Sequence, residues 1–284
     1  MIWVFVGIGI YLLLCLGIAA VSVRPPRTPI VCSPGAFGVP QETVSIGSHL
    51  SAWWVPSEGA TSVAILCHGY FLSKGELAPV ACSLYAEGMS CLLLDFRAHG
   101  KSKGGVCTFG YREKDDVLAA VAWVRERMPD AKIVLIGSSM GSVASAFAFA
   151  ERPDQIQGLV LDSAYNRLSD AVLGWWKFLG GWPLAALLSP TVFMGMPFLK
   201  LNPFNVRVCD ALGKLQGKPV LVMHGDCDSL AEPKHVPKNL EALGPEAECV
   251  WFEGCGHSEG RWEQPEKYRD KLLGFLRKNG FLKP

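Results

Sequence analysis

The sequence predicts an α/β domain: a mostly parallel central sheet with helices on both faces, carried behind one N-terminal membrane-spanning helix. Three observations predict it. Beyond residue 42, continuous apolar runs of strand length alternate with helical patterns, and a strand with no polar face has to be covered on both sides. The run Lys132-Ile-Val-Leu-Ile feeds Gly137-Ser-Ser139-Met-Gly141, which opens an alanine-rich helix. From Ile2 to Val23 no side chain is charged.

Taken in order, the segment 1–23 is a transmembrane anchor, because at about 1.5 Å per residue it crosses a hydrocarbon core of about 30 Å. A cleaved signal peptide is the alternative, but no basic residue precedes the apolar run and the run exceeds the usual length of such a region. Arg24 and Arg27 follow the span, a bias that favours a cytoplasmic domain. Residues 24–41, beginning Arg24-Pro-Pro-Arg-Thr-Pro, read as an extended linker between membrane and domain.

The domain occupies 42–284. Thr43–Ile46 and Leu50–Val55 read as a short antiparallel pair, followed by strands at Val63–Cys67, Ser90–Asp95, Ile133–Ile136, Gly158–Leu161, Pro219–Met223 and Glu248–Phe252. The helices between and after them are expected at Glu76–Glu87, Arg112–Arg127, Ser142–Glu151, Pro233–Leu243 and Gln264–Lys278. From about 170 to 206 the alternation stops. Trp175, Trp176, Trp182, Phe193, Phe198 and Phe204 fall here with hardly any charge, so the stretch reads as a helical cap over the carboxyl edge of the sheet. Such a cap lines an acyl pocket or dips into a bilayer interface.

Composition excludes several classes. With 27 basic and 26 acidic side chains there is no polyanion-binding stripe, and nucleic acid is not an expected partner. Nine of the ten cysteines lie outside the anchor, an odd number that cannot all pair internally. No matched pair of Cys-x-x-Cys motifs indicates zinc. Most read as reduced core residues, in keeping with a cytoplasmic domain.

A serine in Gly-x-Ser-x-Gly between strand and helix is lifted out of a tight turn, which makes Ser139 the candidate nucleophile. It needs a base, and the base needs a carboxylate that holds its tautomer. His257, in Gly254-Cys-Gly-His257 after the last strand, is that base. The acid follows the preceding strand in His224-Gly-Asp226-Cys-Asp228, where Asp228 suits the loop spacing better and Asp226 stays an alternative. Asp162, after Leu159-Val-Leu, is a third and more structural candidate. Oxyanion donors are expected from the backbone N–H groups of Met140, which follows the nucleophile, and Tyr70, in the loop after Val63–Cys67. His68 reads as a brace for that loop.

His68-Gly69-Tyr70, Asp95-Phe-Arg97-Ala-His99-Gly100-Lys-Ser102, Gly137-Ser-Ser139-Met-Gly141, His224-Gly-Asp-Cys-Asp228 and Gly256-His257 occur in this order. On these motifs the chain, from about Val44 to Leu282, resembles the α/β-hydrolase superfamily, in the serine-hydrolase branch of monoacylglycerol lipase-like and serine aminopeptidase-like proteins. The resemblance implies the α/β-hydrolase fold and triad roles for Ser139, Asp228 and His257, with Tyr70 and Met140 as oxyanion donors. It makes the His99–Ser102 turn structural and calls for no metal or organic cofactor. Asp228-Ser-Leu-Ala231-Glu232-Pro233 departs from the Val-Pro that often follows the acid. The expected activity is cleavage of a carboxylic ester or thioester with a lipophilic acyl group. A peptidase of the same fold, which would want a carboxylate in the cap, and a catalytically silent membrane-tethered binding module are the rivals.

Overall fold

The short hairpin β1 (Glu42–Ile46) and β2 (Leu50–Val55) opens the sheet. β2 runs antiparallel to β4 (Ser90–Asp95). From β4 onward every pairing is parallel: to β3 (Ser62–Cys67), β5 (Lys132–Ser138), β6 (Gly158–Asp162), β7 (Val220–Gly225) and β8 (Glu248–Phe252). The computed structural model describes residues 2–283, with the eight strands in the order β1-β2-β4-β3-β5-β6-β7-β8. The sequence of strands reverses direction across the sheet at β3, so the loops after β3 and β5 meet at the carboxyl edge, where such sheets hold ligands.

Buried apolar side chains cover both faces. Ile65, Leu92 and Leu135 point to one side, against α3 (Glu113–Arg127), α4 (Met140–Glu151), α8 (Val208–Leu212) and α9 (His235–Leu243). Leu66, Leu93 and Ile136 point to the other, against α2 (Ala78–Ala86) and α11 (Pro265–Lys278). The alternation of neighbouring residues between the two layers follows from the two-residue period of a strand.

Most elements fall where sequence periodicity puts them; the short helices Val208–Leu212 and Gly260–Glu263 are additions, and the helix after β3 departs for an identifiable reason. The helix expected from Glu76 starts as a 3-10 turn, Lys74–Leu77, and becomes α-helical only at Ala78, with Pro79 in its first turn. Lys74 and Glu76 are held by buried partners instead of lying on a helix surface: Lys74 Nζ is 2.9 Å from Asp95 Oδ2, and Glu76 serves the site below. The stretch with the aromatic run forms α5 (Leu168–Leu188), α6 (Pro190–Met194) and α7 (Met196–Leu199). α5 is kinked where Gly180 and Gly181 leave helical geometry, Gly181 with φ +69°, just ahead of Pro183.

α1 (Ile2–Ser22) is 21 residues long, about 31 Å at helical rise. Its carboxyl end is tied to the domain, since Cys107 N–H donates to Val23 O at 2.8 Å. The segment read as a spacer lies along the domain surface: Arg27 Nη1 donates to Gly100 O at 2.6 Å and Thr28 Oγ1 to Phe71 O at 2.8 Å. Ile30 and Cys32 pack against the α2 side of the core. Fixed φ at Pro25, Pro26 and Pro29 suits an extended strap of this kind as well as a free spacer, which is why composition alone does not distinguish them.

Candidate active site

Ser139 joins β5 to α4 with φ +50° and ψ −112°, a backbone conformation sparsely populated for any residue with a Cβ. The strain is held by its surroundings: Ser139 N–H donates to Asp162 O at 2.8 Å. The flanking glycines are there for space. A Cβ on Gly141 would lie 2.0 Å from Cys67 O, and one on Gly137 would lie 2.3 Å from Ser142 N. Gly141→Ala therefore forces β3 and α4 apart. We expect it to lower unfolding free energy by about 3 kcal/mol or more, measurable as a lower urea midpoint.

His257 lies in the loop after β8. Its Nε2 is 2.7 Å from Ser139 Oγ, and its Nδ1 is 2.7 Å from Asp228 Oδ2. Asp228 is buried, and its other oxygen, Oδ1, accepts the N–H groups of Leu230 at 2.9 Å and Ala231 at 2.8 Å. The Ser-Leu-Ala-Glu-Pro departure thus leaves a carboxylate held by its own following turn. Asp226 is elsewhere: its Oδ1 accepts Gly254 N–H at 2.7 Å. Asp162 makes no hydrogen bond to His257 and accepts from Arg261 Nη1 at 3.1 Å and Tyr268 OH at 3.3 Å.

The N–H groups of Tyr70 and Met140 make no hydrogen bond among the described residues, and both residues line the same cavity as Ser139. Tyr70's hydroxyl donates to Ser22 O at 2.6 Å, which moors the loop to the end of α1. His68 braces that loop, with Nδ1–H donating to Gly69 O at 2.7 Å and Nε2 accepting Phe96 N–H at 3.0 Å. Burial lowers its pKa, consistent with a neutral ring in that fixed tautomer. Ser102 Oγ donates to Asp95 O at 2.6 Å, so the His99–Ser102 turn is bonded into the sheet edge and stands apart from Ser139.

The cavity encloses about 150 Å³, and Tyr70, Phe109, Tyr165, Val172, Trp175 and Trp176 make its wall chiefly apolar. Among the described residues no group of three His, Cys, Asp or Glu side chains is placed to hold a metal ion.

A sequence profile of the alpha/beta hydrolase fold matches residues 64–190. An esterase of Pyrococcus furiosus superposes with a TM-score of 0.75 at 27% identity, over 91% of this chain and 98% of that one. The chain has the α/β-hydrolase fold. An uncharacterized membrane protein of Saccharomyces cerevisiae is 23% identical to this hydrolase over 89% of the chain and 85% of the relative. Mouse monoglyceride lipase is 32% identical over a shorter stretch, 39% of the chain and 37% of the lipase.

What the hydrolase carries outside any motif is a buried charge cluster beneath Ser139. Glu76 Oε2 accepts Gly69 N–H at 2.6 Å, and Glu76 Oε1 accepts the Ser138 hydroxyl at 2.7 Å and the Arg261 guanidinium. Arg261 also binds Asp162. Burial alone would raise the Glu76 pKa, but Arg261, Gly69 N–H and Ser138 outweigh it and hold the carboxyl below its ordinary value. Asp162 goes the other way, raised chiefly by burial despite Arg261. This cluster links the Tyr70 loop, the strand that carries Ser139 and the loop that carries His257. Sequence reading missed it because Glu76 and Arg261 stand 185 residues apart in stretches with no recurring pattern. The faint available signal is a charged residue a turn away from each of two motif loops.

Proposed function

We propose that this protein is a membrane-anchored serine hydrolase that cleaves a carboxylic ester or thioester of a lipophilic acyl group through an acyl-enzyme on Ser139. The observation that carries this reading is the unbroken chain Ser139 Oγ, His257 Nε2, His257 Nδ1, Asp228 Oδ2, with 2.7 Å at each of its two contacts. Ser139 Oγ attacks the acyl carbon while His257 Nε2 takes its proton, and Asp228 stabilises the imidazolium. The carbonyl oxygen, now negative, is received by the N–H groups of Tyr70 and Met140. Collapse of the intermediate expels the alcohol or thiol, which leaves with the proton from His257. Water, deprotonated by His257, then releases the acid and restores Ser139. Proton and acyl transfer of this kind need no cofactor.

The aromatic wall and the names of the esterase and monoglyceride lipase relatives support an acyl ester as substrate. The length and lack of charge of α1, and the membrane relative in yeast, support anchoring. Arg24 and Arg27 after the span favour the cytoplasmic side. Against a peptidase acting at a free amino terminus, the carboxylate among the described cavity residues is Glu76, and it is already committed to Arg261.

Labelling with a fluorophosphonate probe tests the reading. Wild type is expected to label, Ser139→Ala to be silent, and His257→Ala to label more slowly by about three orders of magnitude or more. A folded wild type that resists the probe would overturn the enzyme reading in favour of a binding module.

A further inference from the structure

An apolar groove lies beside the catalytic cavity and shares part of its lining. A groove runs between α1 and α5, with Leu14, Gly17 and Val21 on one side and Trp175, Leu179 and Phe71 on the other. Ser22, Trp175 and Trp176 line both this groove and the cavity that contains Ser139. The groove on the flank of the anchor helix and the cavity that holds the nucleophile therefore adjoin at these three residues.

Its depth follows from α1. Tyr11 donates its hydroxyl to Leu187 O near the end of α5, and Cys15 packs with Trp176, Ala185 and Leu188. Tyr11 lies about 16 Å along the helix axis from Ser22. If α1 spans a bilayer of about 30 Å, the end of α5 reaches roughly its midplane. The chemistry of this hairpin suits that depth. From Phe178 to Leu199 there is no charged side chain, and the run is bracketed by Lys177 and Lys200. Phe178, Leu179, Trp182, Leu187 and Phe193 are exposed, Trp182 to 68%. A helix end inside hydrocarbon must satisfy its last carbonyls within the protein, and here it does: Ala186 O accepts Ser189 Oγ–H, Leu187 O accepts Tyr11, and Leu188 O accepts Thr191 Oγ1–H.

We infer that the hairpin from Phe178 to Leu199 is immersed in the bilayer beside α1, and that the groove between α1 and α5 admits the acyl chain of a membrane lipid sideways to Ser139. This rests on the serine-hydrolase reading above and adds the route and class of substrate. The cavity alone is too small for a long chain, since about 150 Å³ is the size of a void that holds a single benzene ring. A longer chain has to continue past Trp175 and Trp176, and the groove is where that path leads.

Gly17 offers a clean test. A Cβ there meets nothing within 4 Å, and the same holds for Gly9 in the same helix, which does not line the groove. The full chain is placed in phosphatidylcholine vesicles, and turnover is compared for a palmitoyl ester in the bilayer and a butyryl ester in water. Gly17→Phe is expected to lose about tenfold or more in kcat/KM on the palmitoyl ester and to keep wild-type activity on the butyryl ester. Gly9→Phe is expected to keep both. Unchanged palmitoyl turnover in Gly17→Phe overturns the proposal. So does an equal loss on both esters, the outcome if a helix of another protein or a second copy fills the groove. Fluorophosphonate labelling run in parallel separates the two levels. A labelled wild type with no palmitoyl turnover sinks the groove alone, whereas an unlabelled wild type removes the catalytic reading and the groove with it.

Discussion

Asp228→Asn is expected to leave the protein folded and to lower kcat on a butyryl ester by about 10⁴-fold. The size of this effect follows from which atom faces which. Asp228 Oδ1 accepts two backbone N–H groups, from Leu230 and Ala231, so an asparagine there must keep its carbonyl oxygen in that position. Its amide NH₂ then takes the place of Oδ2, facing His257 Nδ1. A donor at that place requires Nδ1 to be the unprotonated nitrogen, which puts the ring proton on Nε2, aimed at Ser139 Oγ. In that tautomer His257 has no lone pair with which to take the serine proton. The measurement is steady-state hydrolysis alongside thermal unfolding, with Asp226→Asn as comparison. Asp226 is bonded to the Gly254 N–H, away from His257, and its variant is expected to stay within a few-fold of wild type. A large loss in Asp226→Asn with little in Asp228→Asn would move the acid's role to Asp226.

Arg261→Met is expected to cost about 3–5 kcal/mol of stability. Arg261 is almost wholly buried, with Glu76 and Asp162 on either side of it. Methionine keeps much of its volume and leaves two carboxylates in a low-dielectric pocket with no cation between them. The three charges act as a unit, so their effects should not add. Glu76→Gln together with Arg261→Met is expected to recover a substantial part of the loss, because the remaining Asp162 can take up a proton, as the upward shift that burial imposes on its carboxyl already favours. Urea unfolding of the two variants measures this. Equal destabilisation in the single and the double variant would mean that packing, and not unpaired charge, sets the value. Ester hydrolysis should fall in Arg261→Met beyond what partial unfolding explains, since Glu76 would lose the partner that fixes its grip on Gly69 N–H.

These two predictions also mark how far the sequence can be read. Most of the strands were legible because they hold a continuous apolar run, and β2, β4 and β8 have the bounds that their composition suggests. Ser139 was legible for a steric reason: the same closeness of backbone that forbids a Cβ at 137 and 141 lifts the side chain at 139 into the open. His257 and Asp228 were legible through chain order and loop spacing. The Glu76–Arg261–Asp162 cluster was not. Its members come from the loop after β3, the end of β6 and α10 (Gly260–Glu263), and a buried ion pair between distant loops leaves no periodic mark in any of them. The strap formed by residues 24–33 was illegible for a related reason. Its bonds use carbonyl oxygens of Gly100 and Phe71, which every residue type possesses.

The hydroxyl of Tyr70 reaches Ser22 O, and Cys107 N–H reaches Val23 O. A recombinant fragment trimmed to begin at Arg24 for the sake of solubility would strip both donors of their acceptors, and one of them belongs to the residue whose own N–H faces the reacting carbonyl in the proposed chemistry. The stretch usually discarded as a tether is, in this molecule, part of the wall of the cavity that holds Ser139, and purification would have to carry it along.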